Sequence, residues 1–156
     1  MMKKFRIFLL TLIFLFSYNI TVPANERSET TVIETFEDGS YIESTVYENS
    51  GISFRSATQK KSGHKTNTYK SSTGKTIWSV TVKGYFSYNG KGSSCLSSSV
   101  STSCPNSHWK IANSSSNKSG ATATASATAK KYLDGKYIQS VTRTVKLTCN
   151  KSGKLS

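Results

Sequence analysis

A strict alternation of small apolar and hydroxyl side chains is the sequence feature that most restricts the fold of this chain. Alanine occupies every second position of residues 121–129, with Thr or Ser at each position between. A period of two gathers the five alanines on one face of a strand, and this outweighs the preference of alanine for helices. The segment therefore predicts a strand with a thin inner face, opposite which larger side chains such as Trp78, Trp109 or Phe86 must pack.

Two other segments alternate in the same way. The apolar face of residues 76–89 carries Trp78, Val80, Val82, Gly84, Phe86 and Tyr88, and that of residues 137–149 carries Tyr137, Val141, Val145, Leu147 and Cys149. Gly84 interrupts the first row, which predicts a bulge or the close approach of another backbone. Arg143 falls in the second row, so we expect it at a sheet margin or beside a carboxylate of Asp134 or of the acidic N-terminal part.

Two Asp-Gly pairs predict β-hairpins. Asp38-Gly39 lies between segments 31–36 and 40–47, and Asp134-Gly135 precedes the third alternating segment. Between them the sequence predicts a linker at 49–63, an edge strand or loop at 93–103 and a strand at 108–113. Ser and Thr fill 47 of 156 positions. The expected fold is all-β, a small antiparallel β-sandwich of immunoglobulin-like size whose topology stays open.

Residues 1–24 have the features of an export signal. Lys3, Lys4 and Arg6 precede an apolar run at residues 7–16, and Val22-Pro23-Ala24 supplies small residues for a signal peptidase. The run is shorter than the roughly 20 residues of a spanning helix. We expect cleavage near Ala24 and a secreted protein, extracellular or associated with the cell wall.

The exported chain divides into an acidic and a basic part. Residues 25–57 have a net charge of −5, whereas residues 58–156 have +15 and contain Asp134 as their only acid. We interpret residues 25–57 as an acidic β-hairpin arm or propeptide-like segment with the start of a linker, and residues 58–156 as a basic β-domain rich in Ser, Thr and Lys. The two parts should attract each other.

The three cysteines predict one disulfide and one free thiol in an oxidising compartment. A bond between Cys104 and Cys149 closes the longer loop and is favoured, and a bond between Cys95 and Cys104 is the rival. The Cys and His spacings do not form a tetrahedral metal site, and we expect no metal and no cofactor.

Strand and turn residues at three places resemble those of one group of proteins. They are Asp38-Gly39-Ser40-Tyr41-Ile42-Glu43, Gly74-Lys75-Thr76-Ile77-Trp78-Ser79-Val80, and Leu147-Thr148-Cys149 with Gly153 and Leu155-Ser156. This combination resembles small secreted β-rich proteins of Gram-positive, clostridia-like bacteria, which carry no assigned activity. The resemblance implies a shared β domain and leaves the function open.

The charge predicts a non-catalytic protein that binds a polyanionic surface, such as an anionic cell-wall polymer or an anionic lipid surface; no specific nucleic acid is expected. The candidate binding residues surround the second hairpin: Lys130, Lys131, Lys136, Lys146, Tyr132 and Tyr137. Lysines on exposed strands also keep a sheet soluble and block edge-to-edge pairing, so that interpretation stays open as well.

Three other functions are weighed against this one. In a bacteriocin-like or toxin-like factor, the acidic segment would neutralise the basic body until cleavage. In a small basic nuclease, His64 and His108 would act as acid and base, although no catalytic motif brings them together. A hydroxyl array could order water or bind glycans, and it would consist of Thr122, Thr124, Ser126 and Thr128 beside Thr142, Thr144 and Thr148.

Overall fold

The computed structural model describes residues 26–49 and 58–156, and its regular structure there is entirely β-strand. The strands are β1 (Glu26–Thr35), β2 (Tyr41–Asn49), β3 (Gln59–Lys70), β4 (Thr76–Tyr88), β5 (Ser93–Ser103), β6 (Trp109–Ser119), β7 (Thr122–Leu133) and β8 (Lys136–Thr148). The predicted export signal at residues 1–24 lies outside the described residues, as do residues 50–57 of the predicted linker.

The strands form two antiparallel sheets that pack face to face. One sheet has the order β1-β2-β3-β4-β5 and the other β6-β7-β8, so each sheet follows the chain order. The prediction of an all-β antiparallel sandwich is confirmed. Both Asp-Gly hairpins are also confirmed, because β1 pairs with β2 and β7 pairs with β8 across these turns. Residues 93–103 form an edge strand rather than a loop.

The core is built from the alanines of β7 and the larger side chains of β4. Ala123, Ala125, Ala127 and Ala129 are at most 1% exposed, and so are Trp78, Val80, Val82 and Phe86. All eight belong to one buried cluster together with Trp109. Small side chains on one sheet let the other sheet come close enough for the large ones to fill the interior, as the alternation predicts.

Gly84 makes room for a side chain within the core. A Cβ added at Gly84 would collide with the ring of Phe86, and one at its partner Gly63 would collide with Leu155. The predicted bulge lies one to two residues after Gly84, since the β4–β5 register shifts between Tyr85 and Phe86. The close approach is made by an aromatic ring and not by another backbone.

The prediction of a linker reaching residue 63 is wrong in its second half. Strand β3 begins at Gln59 and pairs with β2 from Tyr41↔Lys70 to Glu48↔Gly63 and with β4 along its whole length. Its sequence QKKSGHKTNTYK has no apolar alternation, so the pattern of β3 alone does not predict a strand. Backbone pairing on both sides holds it in the sheet.

The predicted disulfide between Cys104 and Cys149 is wrong. All three cysteines are unbonded, and Cys95 lies near the start of β5 whereas Cys104 directly follows its end, roughly 30 Å away at the usual rise per residue. The N–H groups of Cys95 and Cys149 donate to the consecutive carbonyls of Gly120 and Ala121, at 2.7 and 3.0 Å. Cys149 therefore lies at the Cys95 end of the sandwich, far from Cys104. The rival pair, Cys95 with Cys104, is ruled out by the length of β5 between them.

Refolding should reveal this arrangement chemically. When the reduced, unfolded chain is refolded in a glutathione redox buffer, the intramolecular disulfide that forms is expected to join Cys95 to Cys149, because only these two lie at the same end. Cys104 should be recovered alkylated in non-reducing peptide maps. A dominant Cys104–Cys149 peptide would contradict the strand positions given above.

Enlarging the inner face of β7 should destabilise the sandwich. Ala125→Leu adds three carbons where the interior is already filled, and overpacking of this kind costs about 1–3 kcal/mol. Ser115→Leu adds bulk on the exposed face of neighbouring β6 and should change stability by less than about 0.5 kcal/mol. Urea unfolding of both variants compares the two. Equal losses would show that β7 does not set the spacing of the sheets.

Candidate functional site

The β7–β8 hairpin end carries most of the predicted binding residues. Asp134 and Gly135 have φ values of 49° and 77°, the left-handed pair of a two-residue type I′ turn. This turn closes the strands, so that Leu133 pairs with Lys136 and Tyr132 pairs with Tyr137.

A β-bulge changes which side of the hairpin the second tyrosine occupies. Lys131 pairs with Gln139, but the next pair is Tyr132 with Tyr137, so Ile138 has no partner on β7. The extra residue reverses the alternation and moves Tyr137 out of the row of Val141 and Val145. Tyr137 is 56% exposed. Its predicted place on the buried face is therefore wrong.

Two lysines and two tyrosines are in contact on one side of this hairpin end. The rings of Tyr132 and Tyr137 meet edge to face at 6.2 Å between centroids. The Nζ of Lys110 lies 5.6 Å from the Tyr132 ring, and the Nζ of Lys130 lies 5.9 Å from the Tyr137 ring. Lys136 pairs with Leu133 beside the turn and is exposed on the opposite side of the same hairpin end. With it, these residues form what we call the tip cluster: Lys110, Lys130, Tyr132, Lys136 and Tyr137.

Two of the predicted lysines lie elsewhere. Lys131 alternates with Lys130, so it shares the inward side of the alanines, and its charge acts on Asp38 of the first hairpin. Lys146 pairs with Thr124, six residues along β7 from Lys130, which is roughly 20 Å. Lys110 was missed by the sequence reasoning, because only the β6–β7 register brings it beside Lys130.

In the part of the chain that the structure describes, the acidic hairpin contacts the basic part through three ion pairs. Glu43 pairs with Lys70 at 2.6 Å and Glu48 with Lys61 at 2.8 Å. The third pair joins the two sheets, since Arg143 of β8 contacts both carboxylate oxygens of Glu34, with Nη1–Oε2 at 3.3 Å and Nη2–Oε1 at 3.4 Å. The predicted attraction thus takes the form of specific contacts, and the acidic hairpin supplies the carboxylate for Arg143.

The lysines of the tip cluster are not among the cations of these ion pairs. Within residues 26–49 and 58–156, the three pairs engage Lys61, Lys70 and Arg143 and leave the tip cluster free of carboxylate partners. The nearest acid in sequence is Asp134, in the turn itself. The acidic hairpin therefore cancels part of the positive charge on the body of the sandwich and leaves that of the hairpin end.

The two histidines lie in different parts of the sandwich. His64 stands on β3 and stacks on Tyr47, with ring centroids 4.4 Å apart. His108 is exposed in the turn before β6 and accepts a hydrogen bond from the Tyr132 N–H through its carbonyl. The five-stranded sheet carries one and the entry to the three-stranded sheet carries the other.

The hydroxyl groups on the outer face of the three-stranded sheet bond to one another. Thr122 bonds Thr148 at 3.0 Å, Thr128 bonds Thr142 at 2.8 Å, and Thr144 donates to Ser126 at 3.2 Å. Rows of this kind cross the other sheet too, through Thr30, Thr45, Thr66, Thr81 and Ser101. These cross-strand bonds stabilise the pairing of polar strands.

Residues 26–49 and 58–156 contain no helix long and apolar enough to cross a membrane. The same residues contain no group of three or more His, Cys, Asp or Glu side chains that could hold a metal ion.

Comparisons with known proteins gave no match. No protein-family profile matches it, and neither the curated proteins nor the solved structures include a significant match.

The carboxyl of Asp38 should titrate at a lower pH than an ordinary aspartate. Its pKa lies below the ordinary value because the Ser40 hydroxyl and N–H donate to Oδ1 at 2.5 and 3.0 Å, and Lys131 adds a smaller effect. Because the folded-state pKa is lowered, the stabilisation is present above about pH 4 and is lost as the pH falls through the folded-state pKa.

Carbon-detected NMR titration measures this shift. Ser40→Ala should return the Asp38 pKa towards the ordinary value, whereas Lys131→Gln should move it little. A larger rise in Lys131→Gln than in Ser40→Ala would make charge, and not hydrogen bonding, the main cause.

Proposed function

We propose that this is a secreted, non-catalytic protein that binds an anionic cell-envelope surface through the tip cluster. The observation that supports this proposal most directly is the tip cluster, because three lysines and two tyrosines lie at one hairpin end without a carboxylate partner among the described residues. A concentrated positive field at one end of a molecule attracts polyanions and orients the protein on them.

The body of the molecule supports this choice of end. Strands β2 and β3 carry two of the ion pairs, and the Glu34–Arg143 pair ties the first hairpin to β8. Positive charge on the five-stranded sheet is thus partly cancelled. The tip cluster keeps its charge, and its tyrosines supply rings that combine an apolar body with a polar edge.

The acidic hairpin has a structural role that favours binding with this hairpin in place. Strand β2 pairs with β3 over eight residue pairs and buries Ile42 and Ser44. Release of residues 25–57, as the toxin-like alternative requires, would break this ladder and expose the hydrogen-bonding edge of β3. The geometry therefore supports direct binding better than activation by cleavage.

Charge removal at the tip should weaken binding in a salt-dependent way. Each Lys close to an anionic surface contributes about 1 kcal/mol, so Lys110, Lys130 and Lys136 replaced together by Gln should cost roughly 100-fold in affinity at low salt. The parent should also lose affinity steeply as salt rises, because screening and counterion release act on every contact.

A matched triple variant separates position from total charge. Lys91, Lys151 and Lys154 are exposed at the opposite end of the sandwich, and their replacement by Gln removes the same charge. Sedimentation with anionic cell-wall polymer or anionic vesicles should show a small loss for this control. Equal losses in both triples would assign binding to net charge alone, and a parent that binds neither material would overturn the proposal.

A further inference from the structure

The β7–β8 hairpin end is apolar as well as basic. Seven large apolar side chains of the described residues are exposed, and three of them lie within six positions of one turn: Leu133 at 51%, Tyr137 at 56% and Ile138 at 51%. Exposed apolar side chains that gather at one place mark an interaction surface more often than scattered ones do.

The bulge at Ile138 adds to the apolar surface of this hairpin end. Because Ile138 has no partner on β7, the strand gains a residue just beyond the sandwich, and Tyr137 moves out of the core row. Leu133 pairs with Lys136 at the last rung before the turn. Had the alternation continued from Val141, Tyr137 would lie on the inner side, so the irregularity adds apolar surface at this hairpin end.

Lysines lie next to these apolar groups, an arrangement that suits the interface of a lipid bilayer. Lys110 and Lys130 lie over the tyrosine rings, and Lys136 stands beside the turn. At a bilayer surface the apolar side chains enter the acyl boundary, tyrosines lie at the level of the headgroups, and lysines reach lipid phosphates. A water-soluble polyanion would use the lysines but offer no place for Leu133 and Ile138.

We propose that the β7–β8 hairpin end inserts Leu133 and Ile138 into the interface of an anionic lipid bilayer, with Lys110, Lys130 and Lys136 on the lipid phosphates. The inference rests on the proposed function and specifies its partner as lipid. Asp134 is the one acid of strands β7 and β8 and the turn between them, and its charge opposes the insertion. It also holds the left-handed turn conformation, which asparagine adopts as well.

The test compares a bilayer with a soluble polyanion. Residues 25–156, which contain both sheets and the buried core, are measured against vesicles of phosphatidylglycerol and phosphatidylcholine, vesicles of phosphatidylcholine alone, and polyphosphate. The parent should bind the anionic vesicles and retain part of this binding at high salt, because apolar burial is not screened. It should bind polyphosphate only at low salt.

Two double variants locate the apolar contribution. Leu133→Ser with Ile138→Ser should lower vesicle affinity at least about tenfold and abolish the salt-resistant part, with polyphosphate binding unchanged. The matched control, Val32→Ser with Leu96→Ser, removes two exposed apolar side chains elsewhere and should leave vesicle binding intact. Asp134→Asn keeps the turn and should strengthen vesicle binding several-fold.

A third variant measures how deeply the hairpin end inserts into the bilayer. The Leu133→Trp variant should show a blue-shifted emission component on anionic vesicles that brominated lipid quenches, in contrast to Trp78 and Trp109, which are buried in the core. If the Ser double variant binds vesicles as the parent does and brominated lipid quenches no emission of the Leu133→Trp variant, insertion is overturned while surface binding stands. If the parent binds neither vesicles nor polyphosphate, the proposed function fails as well.

Discussion

The packing of the alanine face of β7 against the large side chains of β4 sets the architecture of this protein. Four alanines with almost no exposure let the three-stranded sheet approach the row that contains Trp78 and Phe86. Every other contact between the sheets depends on this distance, including the Glu34–Arg143 pair. Gly84 extends the same principle within β4, because the missing side chain makes room for the ring of Phe86.

Charge is distributed over this framework in an orderly way. Acidic β1 and β2 are strands of the larger sheet, and their carboxylates reach lysines of β3 and the arginine of β8. Such exposed or half-exposed pairs contribute little stability each. Their larger effect is on the field, because they cancel part of the positive charge of the body, whereas the lysines of the β7–β8 hairpin end, where the proposed binding takes place, belong to none of these three pairs.

The bulge at Ile138 links fold and proposed function. It is a local irregularity of backbone pairing, yet it decides that Tyr137 lies beside Tyr132 and Lys130 and not beside Val141. Four of the residues named from sequence, Lys130, Lys136, Tyr132 and Tyr137, therefore lie at this hairpin end, although Tyr137 reaches its position through the bulge. Lys131 and Lys146 were grouped with them because sequence proximity was taken for spatial proximity.

The sequence alone determined the all-β class, both Asp-Gly hairpins and the match of small against large side chains, because these follow from local turn chemistry and from the two-residue period of a strand. It could not determine β3, whose polar residues carry no period and which is a strand because β2 and β4 supply hydrogen bonds on both sides. Nor could it place Cys149 beside Cys95 or Lys110 beside Lys130. Those neighbours depend on register and on which sheet ends meet, and such choices are made only when the whole sandwich closes around its core.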